Sequence, residues 1–169
     1  IRLCSSASAI LSLIAPWVER PAFDEIHMVT AFYGLGRLRE SLTSELESSS
    51  VLNRLIRRIQ FALDTNAMDE RSVGNIMWAV GRLQRWIDRF RVFFPALVLA
   101  GQGRACEMTA LHLANSVWAI ATLRKEAPEL QAALPALADA VPLQSDSFSE
   151  QHVSNMFWSV ATLRADAPY

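Results

Sequence analysis

The sequence lacks the features that hold small secreted domains together or that anchor a chain in a membrane. Its two cysteines, Cys4 and Cys106, are single and far apart, which excludes a disulfide framework and a Cys-x-x-Cys zinc site. No apolar run reaches the roughly 18 residues of a membrane-spanning helix, and the best candidate, 9–18, contains Pro16. Because the chain begins with Ile1 rather than methionine, we expect it to be a segment of a longer protein.

An excess of charge and the usual catalytic motifs are also missing. The chain has 16 Lys+Arg against 17 Asp+Glu, and 51% of its residues are apolar, which excludes a disordered segment and a strongly basic arm. It contains no nucleophile elbow, P-loop, His-Glu-x-x-His motif or dinucleotide fingerprint. We therefore expect a protein that is not an enzyme and that uses no cofactor, metal or small-molecule substrate.

What the sequence does contain is an internal repeat. Four stretches align without gaps, and their starts are separated by 45, 40 and 40 residues. They read FDEIHMVTAFYGLGRL, MDERSVGNIMWAVGRL, MTALHLANSVWAIATL and FSEQHVSNMFWSVATL, beginning at Phe23, Met68, Met108 and Phe148. Counted from these first residues, position eight is Thr30, Asn75, Asn115 or Asn155, and position eleven is Tyr33, Trp78, Trp118 or Trp158.

Each stretch is expected to form a helix of about 15 residues. The second positions are all good N-caps, namely Asp24, Asp69, Thr109 and Ser149. Apolar residues at positions one and six fit a hydrophobic staple. Second amphipathic segments lie between the stretches, most clearly at 51–63, and they should begin or bend near Pro95 and Pro135. The Ser-rich segment 41–50 is expected to be a turn that lengthens the first unit.

Two faces of the first helix carry residue preferences. Positions six, ten and thirteen fall on one side of a helical wheel, and positions four, eight, eleven and fifteen on the other. Positions twelve and fourteen are always small, which allows neighbouring helices to pack side by side. We therefore expect an all-α solenoid of about four helical hairpins, because each unit of a solenoid is flanked on both sides. The expected units within this single segment are 1–22, 23–67, 68–107, 108–147 and 148–169.

The repeated polar and aromatic positions have two interpretations each. The asparagines form a structural ladder, bonding to a neighbouring helix or loop, or they face a groove and contact phosphates or base edges. A residue that does not vary cannot encode a varying ligand, which favours the ladder. For the tryptophans, packing between helices is favoured over base stacking. Position five holds His27, His112 and His152, which lie about one repeat apart and too far for shared metal coordination.

Basic residues concentrate in the middle of the chain. Residues 51–91 contain eight arginines and four acidic residues, a local net charge of +4. The arginines are Arg54, Arg57, Arg58, Arg71, Arg82, Arg85, Arg89 and Arg91. Such a patch suits phosphates, because the guanidinium offers a bidentate fork. A solvated face with local acidic partners such as Asp88 is an equally weighted alternative.

The strings TALHLANSVWAIATL and SEQHVSNMFWSVATL resemble the first-helix signature of octotricopeptide repeats, which are related to the helical repeats of organellar RAP-domain proteins. The resemblance covers the chain beyond its first 22 residues and is weakest in the first copy, where Thr30 and Tyr33 replace Asn and Trp. It implies a right-handed α-solenoid and import into mitochondrion or chloroplast. It also implies binding of single-stranded mRNA or rRNA, in RNA processing, stability or translation or as a ribosomal component.

The expected RNA-binding residues combine the basic patch with polar repeat positions. They are Arg54, Arg57, Arg58, Arg71, Arg82, Asn75, Asn115, Asn155 and Gln151. Position four, which varies most, is polar only at Arg71 and Gln151, fewer than a reader of four bases needs. The alternative is a protein–protein scaffold or accessory subunit of a large organellar complex such as a ribosome or photosystem, with an exposed apolar patch around 92–100.

Overall fold

In the computed structural model the protein is helical, and no strand occurs among the residues that the structure describes, namely 1, 3–41 and 48–165. This confirms the all-α prediction, while most of the predicted turn at 41–50 lies outside the described residues. The described α-helices are α1 (Ala7–Ile14), α2 (Glu25–Arg37), α3 (Ser50–Asp64), α4 (Glu70–Arg82), α5 (Phe94–Arg104), α6 (Ala110–Thr122), α7 (Leu134–Ala140) and α8 (Glu150–Ala165). Short 3-10 helices connect several of them.

The repeated stretches form α2, α4, α6 and α8, and they begin at the predicted caps. Asp69 accepts a hydrogen bond from the backbone N–H of Ser72 at 2.8 Å, and Asp24 accepts the equivalent bond at 3.1 Å. Thr109 is the N-cap of α6, although its hydroxyl lies 3.0 Å from the ring Nδ1 of His112 instead. The staple residues are buried in the first three copies: Phe23, Met28, Met68, Val73, Met108 and Leu113.

The segments between the stretches are shorter and less regular helices. Pro95 and Pro135 lie in the first turns of α5 and α7. Backbone N–H groups in a first turn have no partner within the helix, so proline, which lacks this group, loses no hydrogen bond there. This confirms the prediction that the second helices begin near these prolines. Before each of them the chain runs through 3-10 helix, at Gln84–Arg89 and Arg91–Phe93 and at Pro128–Ala133.

The helices pack as two rows in chain order. The even-numbered helices contact one another consecutively, α2 with α4, α4 with α6 and α6 with α8. The odd-numbered helices also contact one another consecutively, and the rows join through pairs such as α2 with α3, α4 with α5 and α6 with α7. The apolar core lies between the rows, so each unit is covered chiefly by its neighbours along the chain.

The core is built from the stripe of positions six, ten and thirteen together with aromatic residues of the odd row. Phe32 of α2 packs edge-on against Phe90, with ring centroids 5.2 Å apart. Phe93 and Phe94 are also fully buried. The apolar patch expected at 92–100 therefore belongs mainly to the core, and its large exposed residues are Val92 and Leu99.

The small residues at positions twelve and fourteen allow the even helices to approach closely. A Cβ atom added to Gly81 of α4 would lie 2.9 Å from the Cβ of Ala119 and 2.9 Å from Cζ3 of Trp118, both on α6. The same contact occurs one unit earlier, where a Cβ on Gly36 would lie 3.2 Å from Cζ3 of Trp78. Trp78 and Trp118 therefore each cover the glycine at position fourteen of the preceding helix, and the close approach of these helices is the one that the small-residue pattern predicts.

A histidine fills a second close approach in the same row. A Cβ on Gly74 of α4 would lie 2.7 Å from the Cβ of His112 on α6, and His112 is 6% exposed. Burial lowers the pKa of His112, and the charge of Arg71 lowers it further, while Glu70 and Asp69 act in the opposite direction. The neutral imidazole is therefore the form that suits this interface.

We expect Gly81→Ala to lower the free energy of unfolding by about 1–3 kcal/mol, because the added methyl overpacks the contact between α4 and α6. The matched control is Gly103→Ala on α5, where a Cβ would meet no heavy atom within 4 Å among the described residues. This control should be neutral or stabilising by up to about 1 kcal/mol, since alanine favours helix. Urea denaturation of both variants measures the difference, and equal effects would contradict the close-packing interpretation.

We expect the burial of His112 to make the protein less stable in mild acid. A folded-state pKa below the ordinary value of about 6.5 means that the unfolded chain binds more protons as the pH falls. The stability contributed by the neutral ring is thus present above about pH 6.5 and is lost as the pH falls through the folded-state pKa. Denaturation curves across this range should show a smaller loss for His112→Gln than for the wild type. His152→Gln, the matched variant on α8, should retain the wild-type loss.

Candidate nucleic-acid interface

The stripe of positions four, eight, eleven and fifteen lies on the solvent-exposed side of the even row. At position four Arg71 and Gln151 are exposed, as are Ile26 and Leu111, which are 66% and 46% exposed. Positions eight and eleven are half-buried in α2, α4 and α6, and position fifteen is half-buried or exposed throughout. The structure thus brings six of the predicted residues onto one stripe, namely Arg71, Asn75, Arg82, Asn115, Gln151 and Asn155.

The asparagine side chains of this stripe are half-buried and available for binding. Asn75, Asn115 and Asn155 make no side-chain hydrogen bond to any other described residue. A ladder of bonds to neighbouring helices or loops is therefore not seen among these residues. Each amide carries two donors and an acceptor oxygen, so the stripe presents the same unsatisfied group at each of three successive helices.

The aromatic residues of the stripe have one side packed and one side toward solvent. Trp78 and Trp118 cover glycines of the preceding helix and are half-buried, while Trp158 is 47% exposed. Tyr33 stacks on Trp78 with ring centroids 4.4 Å apart and an interplanar angle of 28°. These contacts support the interpretation that the rings pack between helices, and they leave ring edges along the exposed stripe.

Arg82 is held beside the aromatic column. Its guanidinium lies 5.6 Å from the centre of the Trp78 ring, a cation–π contact, and its Nε is buried without a hydrogen-bond partner among the described residues. Burial lowers the pKa of Arg82, and the nearby charge of Arg39 lowers it further, whereas Glu40 raises it. An anion next to the solvent-accessible part of this guanidinium would supply a counter-charge.

The three arginines predicted on 51–63 lie on α3, in the other row. Arg58 donates hydrogen bonds to the carbonyls of Phe23 at 2.6 Å and Val18 at 3.2 Å, so its guanidinium joins two units. Arg54 is within 3.6 Å of a carboxylate oxygen of Glu19. Arg57 is exposed on α3. The structure therefore does not bring these residues together with the asparagine stripe.

Two further arginines of the basic patch, Arg85 and Arg91, also contact other groups of the protein. Arg91 pairs with Asp88 at 2.9 Å and with Glu129 at 2.5 Å, and the guanidinium of Arg85 lies 5.5 Å from the ring centre of Trp86. Several of these contacts join residues about one repeat apart, as in the pair Arg91–Glu129, which is separated by 38 positions. The local net charge of the middle segment is thus used largely to link neighbouring units.

Three further residues of this region were not among the predicted site residues. Thr30, Tyr33 and Arg37 lie at positions eight, eleven and fifteen of α2, equivalent to Asn75, Trp78 and Arg82 of α4. Arg37 is exposed, and the other two are half-buried. The alignment of the repeats could have identified these three residues, because equivalent positions lie on the same helix face in every copy.

The stripe carries polar and aromatic side chains. It offers amides, indole edges and a few guanidinium groups, and no cluster of three or more His, Cys, Asp or Glu side chains suited to a metal occurs among the described residues. In those same ranges no helix is long and apolar enough to cross a membrane. No protein-family model, curated protein or solved structure matches the chain.

Proposed function

We propose that this chain is part of an organellar helical-repeat protein, of octotricopeptide-repeat type, that binds single-stranded RNA along the exposed stripe of its even helices. The proposed arrangement is a right-handed α-solenoid. Consecutive contacts within each row support a solenoid, because every unit packs on the units before and after it. In a mitochondrion or chloroplast the bound RNA would be mRNA in processing, stability or translation, or rRNA in a ribosome.

The observation that carries this proposal is the row of half-buried asparagine amides that make no hydrogen bond to the described residues. Asn75, Asn115 and Asn155 occupy equivalent places on three consecutive helices and have no protein partner among the described residues. A regularly spaced row of identical donors and acceptors matches a polymer with a repeating backbone. Because the amide does not vary, it suits the sugar–phosphate backbone better than the variable base edges.

The arginines on the same stripe would supply the electrostatic part of binding. Arg82 is half-buried at position fifteen of α4, and Arg71 is exposed at position four of that helix. Arg58 of α3 is less suited to RNA, because its guanidinium already binds carbonyls of the preceding unit. Arg57 remains a candidate contact from the other row.

The proposal is tested by changing all three amides to carboxylates. We expect Asn75→Asp, Asn115→Asp and Asn155→Asp together to weaken binding to labelled single-stranded RNA at least about tenfold, since each lost hydrogen bond contributes about 1 kcal/mol and the new charges repel phosphates. Fluorescence anisotropy at low salt measures the affinity. The substitution keeps the shape of every side chain.

The matched control is Gln60→Glu, Gln84→Glu and Gln144→Glu, which makes the same chemical change and the same change in net charge away from the stripe. We expect this control to stay within about threefold of the wild type, because long-range charge effects are screened by salt. Equal weakening by both variants, or no RNA binding by the wild type at low salt, would contradict the proposal. Arg57→Ala shows in the same assay whether α3 also contacts RNA.

A specific observation favours a second function, that of a scaffold or accessory subunit in a larger complex. The core stripe that is buried in α2, α4 and α6 is exposed in α8, where Val153, Phe157 and Val160 are 40%, 74% and 56% exposed. Exposed apolar surface of this kind often marks a protein interface. The surface lies on the repeat face that an odd helix covers in the earlier units.

Under this second function, we expect Phe157→Glu to abolish association with a partner subunit while the chain stays folded, because the ring is mostly in solvent. Phe61→Glu on α3 is the matched control, since Phe61 is 67% exposed on a helix away from this face. Affinity purification from organelle extract, with circular dichroism of both variants, measures the two effects. Retention of all protein partners by Phe157→Glu would exclude this face as the interface.

A further inference from the structure

A cavity of about 240 Å³ opens between α2, α1 and the first residues of the chain. Its apolar wall includes Ile10, Val29 and Leu38, of which the first two are buried. An apolar cavity of about 150 Å³ is sufficient to bind benzene. The space beside α2 is therefore large enough for one planar heterocycle, although it is smaller than the roughly 300–1,000 Å³ of pockets for drug-sized ligands.

The cavity arises where the first copy departs from the repeat pattern. Thr30 and Tyr33 stand at positions eight and eleven, where the later copies have Asn, of similar size to Thr, and the larger Trp. Gly34 lets α1 approach, because a Cβ there would lie 2.8 Å from Cδ1 of Ile10. The smaller side chain of Tyr33 leaves space next to this close contact, and Asn75 of α4 closes the adjoining side.

Four polar side chains with no side-chain hydrogen bond to any described residue line this one cavity. They are the hydroxyls of Thr30 and Tyr33, the amide of Asn75 and the guanidinium of exposed Arg37. An apolar pocket with a few convergent polar groups is the usual form of a small-ligand site. The hydroxyls and the amide can each donate and accept, whereas Arg37 can only donate and attracts an anion.

We propose that this cavity binds a single nucleobase whose phosphate lies at Arg37, an inference that rests on the proposed RNA-binding function. The flat apolar faces of a base match the Ile10 and Val29 side. Its edge of donors and acceptors matches the hydroxyls of Thr30 and Tyr33, and the negative phosphate matches Arg37. The chemistry is that of a nucleotide, whether it belongs to an RNA strand or is free. In an RNA strand, this cavity gives the first unit a base preference that the invariant asparagines cannot provide.

Two measurements test the inference on the folded chain. In the first, AMP, CMP, GMP and UMP are titrated separately while backbone amide NMR signals are recorded, with inorganic phosphate as the probe for an anion alone. We expect shifts at Thr30, Tyr33 and Asn75 with one base and no such shifts with phosphate. Thr30→Val, which keeps the shape of the side chain, should weaken this binding by about fivefold, the effect of one lost hydrogen bond.

In the second measurement, the affinity for the four single-stranded homopolymers is compared between Thr30→Val and the wild type. We expect Thr30→Val to reduce the preference for the best-bound homopolymer by about fivefold. The matched control is Thr65→Val at the C-terminal end of α3, whose hydroxyl donates to the carbonyl of Phe61 at 2.8 Å and which should retain the preference.

The two proposals fail in different ways. RNA binding with an unchanged base preference in Thr30→Val, and no shift by any mononucleotide, would overturn the cavity inference and leave the RNA-binding function standing. Absence of RNA binding with shifts by one mononucleotide would overturn the RNA-binding function and support a site for a free nucleotide. Shifts at the cavity by phosphate alone would overturn the assignment of a base.

Discussion

The structure depends on the contact between an indole ring and a glycine of the preceding helix. Trp118 covers Gly81, and Trp78 covers Gly36. A Cβ atom on either glycine would lie closer to the indole ring than an ordinary van der Waals contact. Because the even helices meet at these glycines, the absence of a side chain there determines how closely α2 approaches α4 and how closely α4 approaches α6. Apolar residues from successive units are buried together in one core that runs from Ala7 to Ala140. The repeat of small residue and tryptophan is therefore the architectural element of the chain, and the odd helices cover the remaining apolar side.

The same contact determines what the solvent-exposed side of the row can do. The rings of Trp78 and Trp118 are held against the preceding helix, and position eight of the same helices lies half in solvent. The amides of Asn75, Asn115 and Asn155 are thus presented in regular order on a rigid support, with no protein partner among the described residues. A flexible loop would lose entropy on binding, whereas a helix face already ordered by packing loses little. Preorganised amides are accordingly a physical basis for binding an extended ligand.

Local signals in the sequence predicted much of this architecture. Contacts between residues far apart in the chain could not be predicted from it. The caps at Asp24 and Asp69 and the helix starts at Pro95 and Pro135 follow from chemistry within one or two turns, and the structure confirms them. Arg57 and Arg58 are adjacent and identical in type, yet only Arg58 meets the carbonyls near 18–23. That difference depends on where a segment about one repeat away passes over α3. The cavity at Thr30 likewise requires the position of α1, which no local pattern specifies.

The distribution of charge indicates how such a surface would hold RNA. Most middle arginines bind carbonyls, carboxylates or rings of the protein itself, as Arg58 and Arg91 do. Cations already paired in the fold release few counterions when RNA arrives, so they add little to salt-dependent affinity. A net charge of −1 points in the same direction. Binding through this surface must then come mainly from hydrogen bonds and shape, with Arg82 and Arg71 adding local charge. That balance favours a defined strand in one register over nonspecific attraction to any nucleic acid, because a hydrogen bond depends on position much more strongly than a screened charge does.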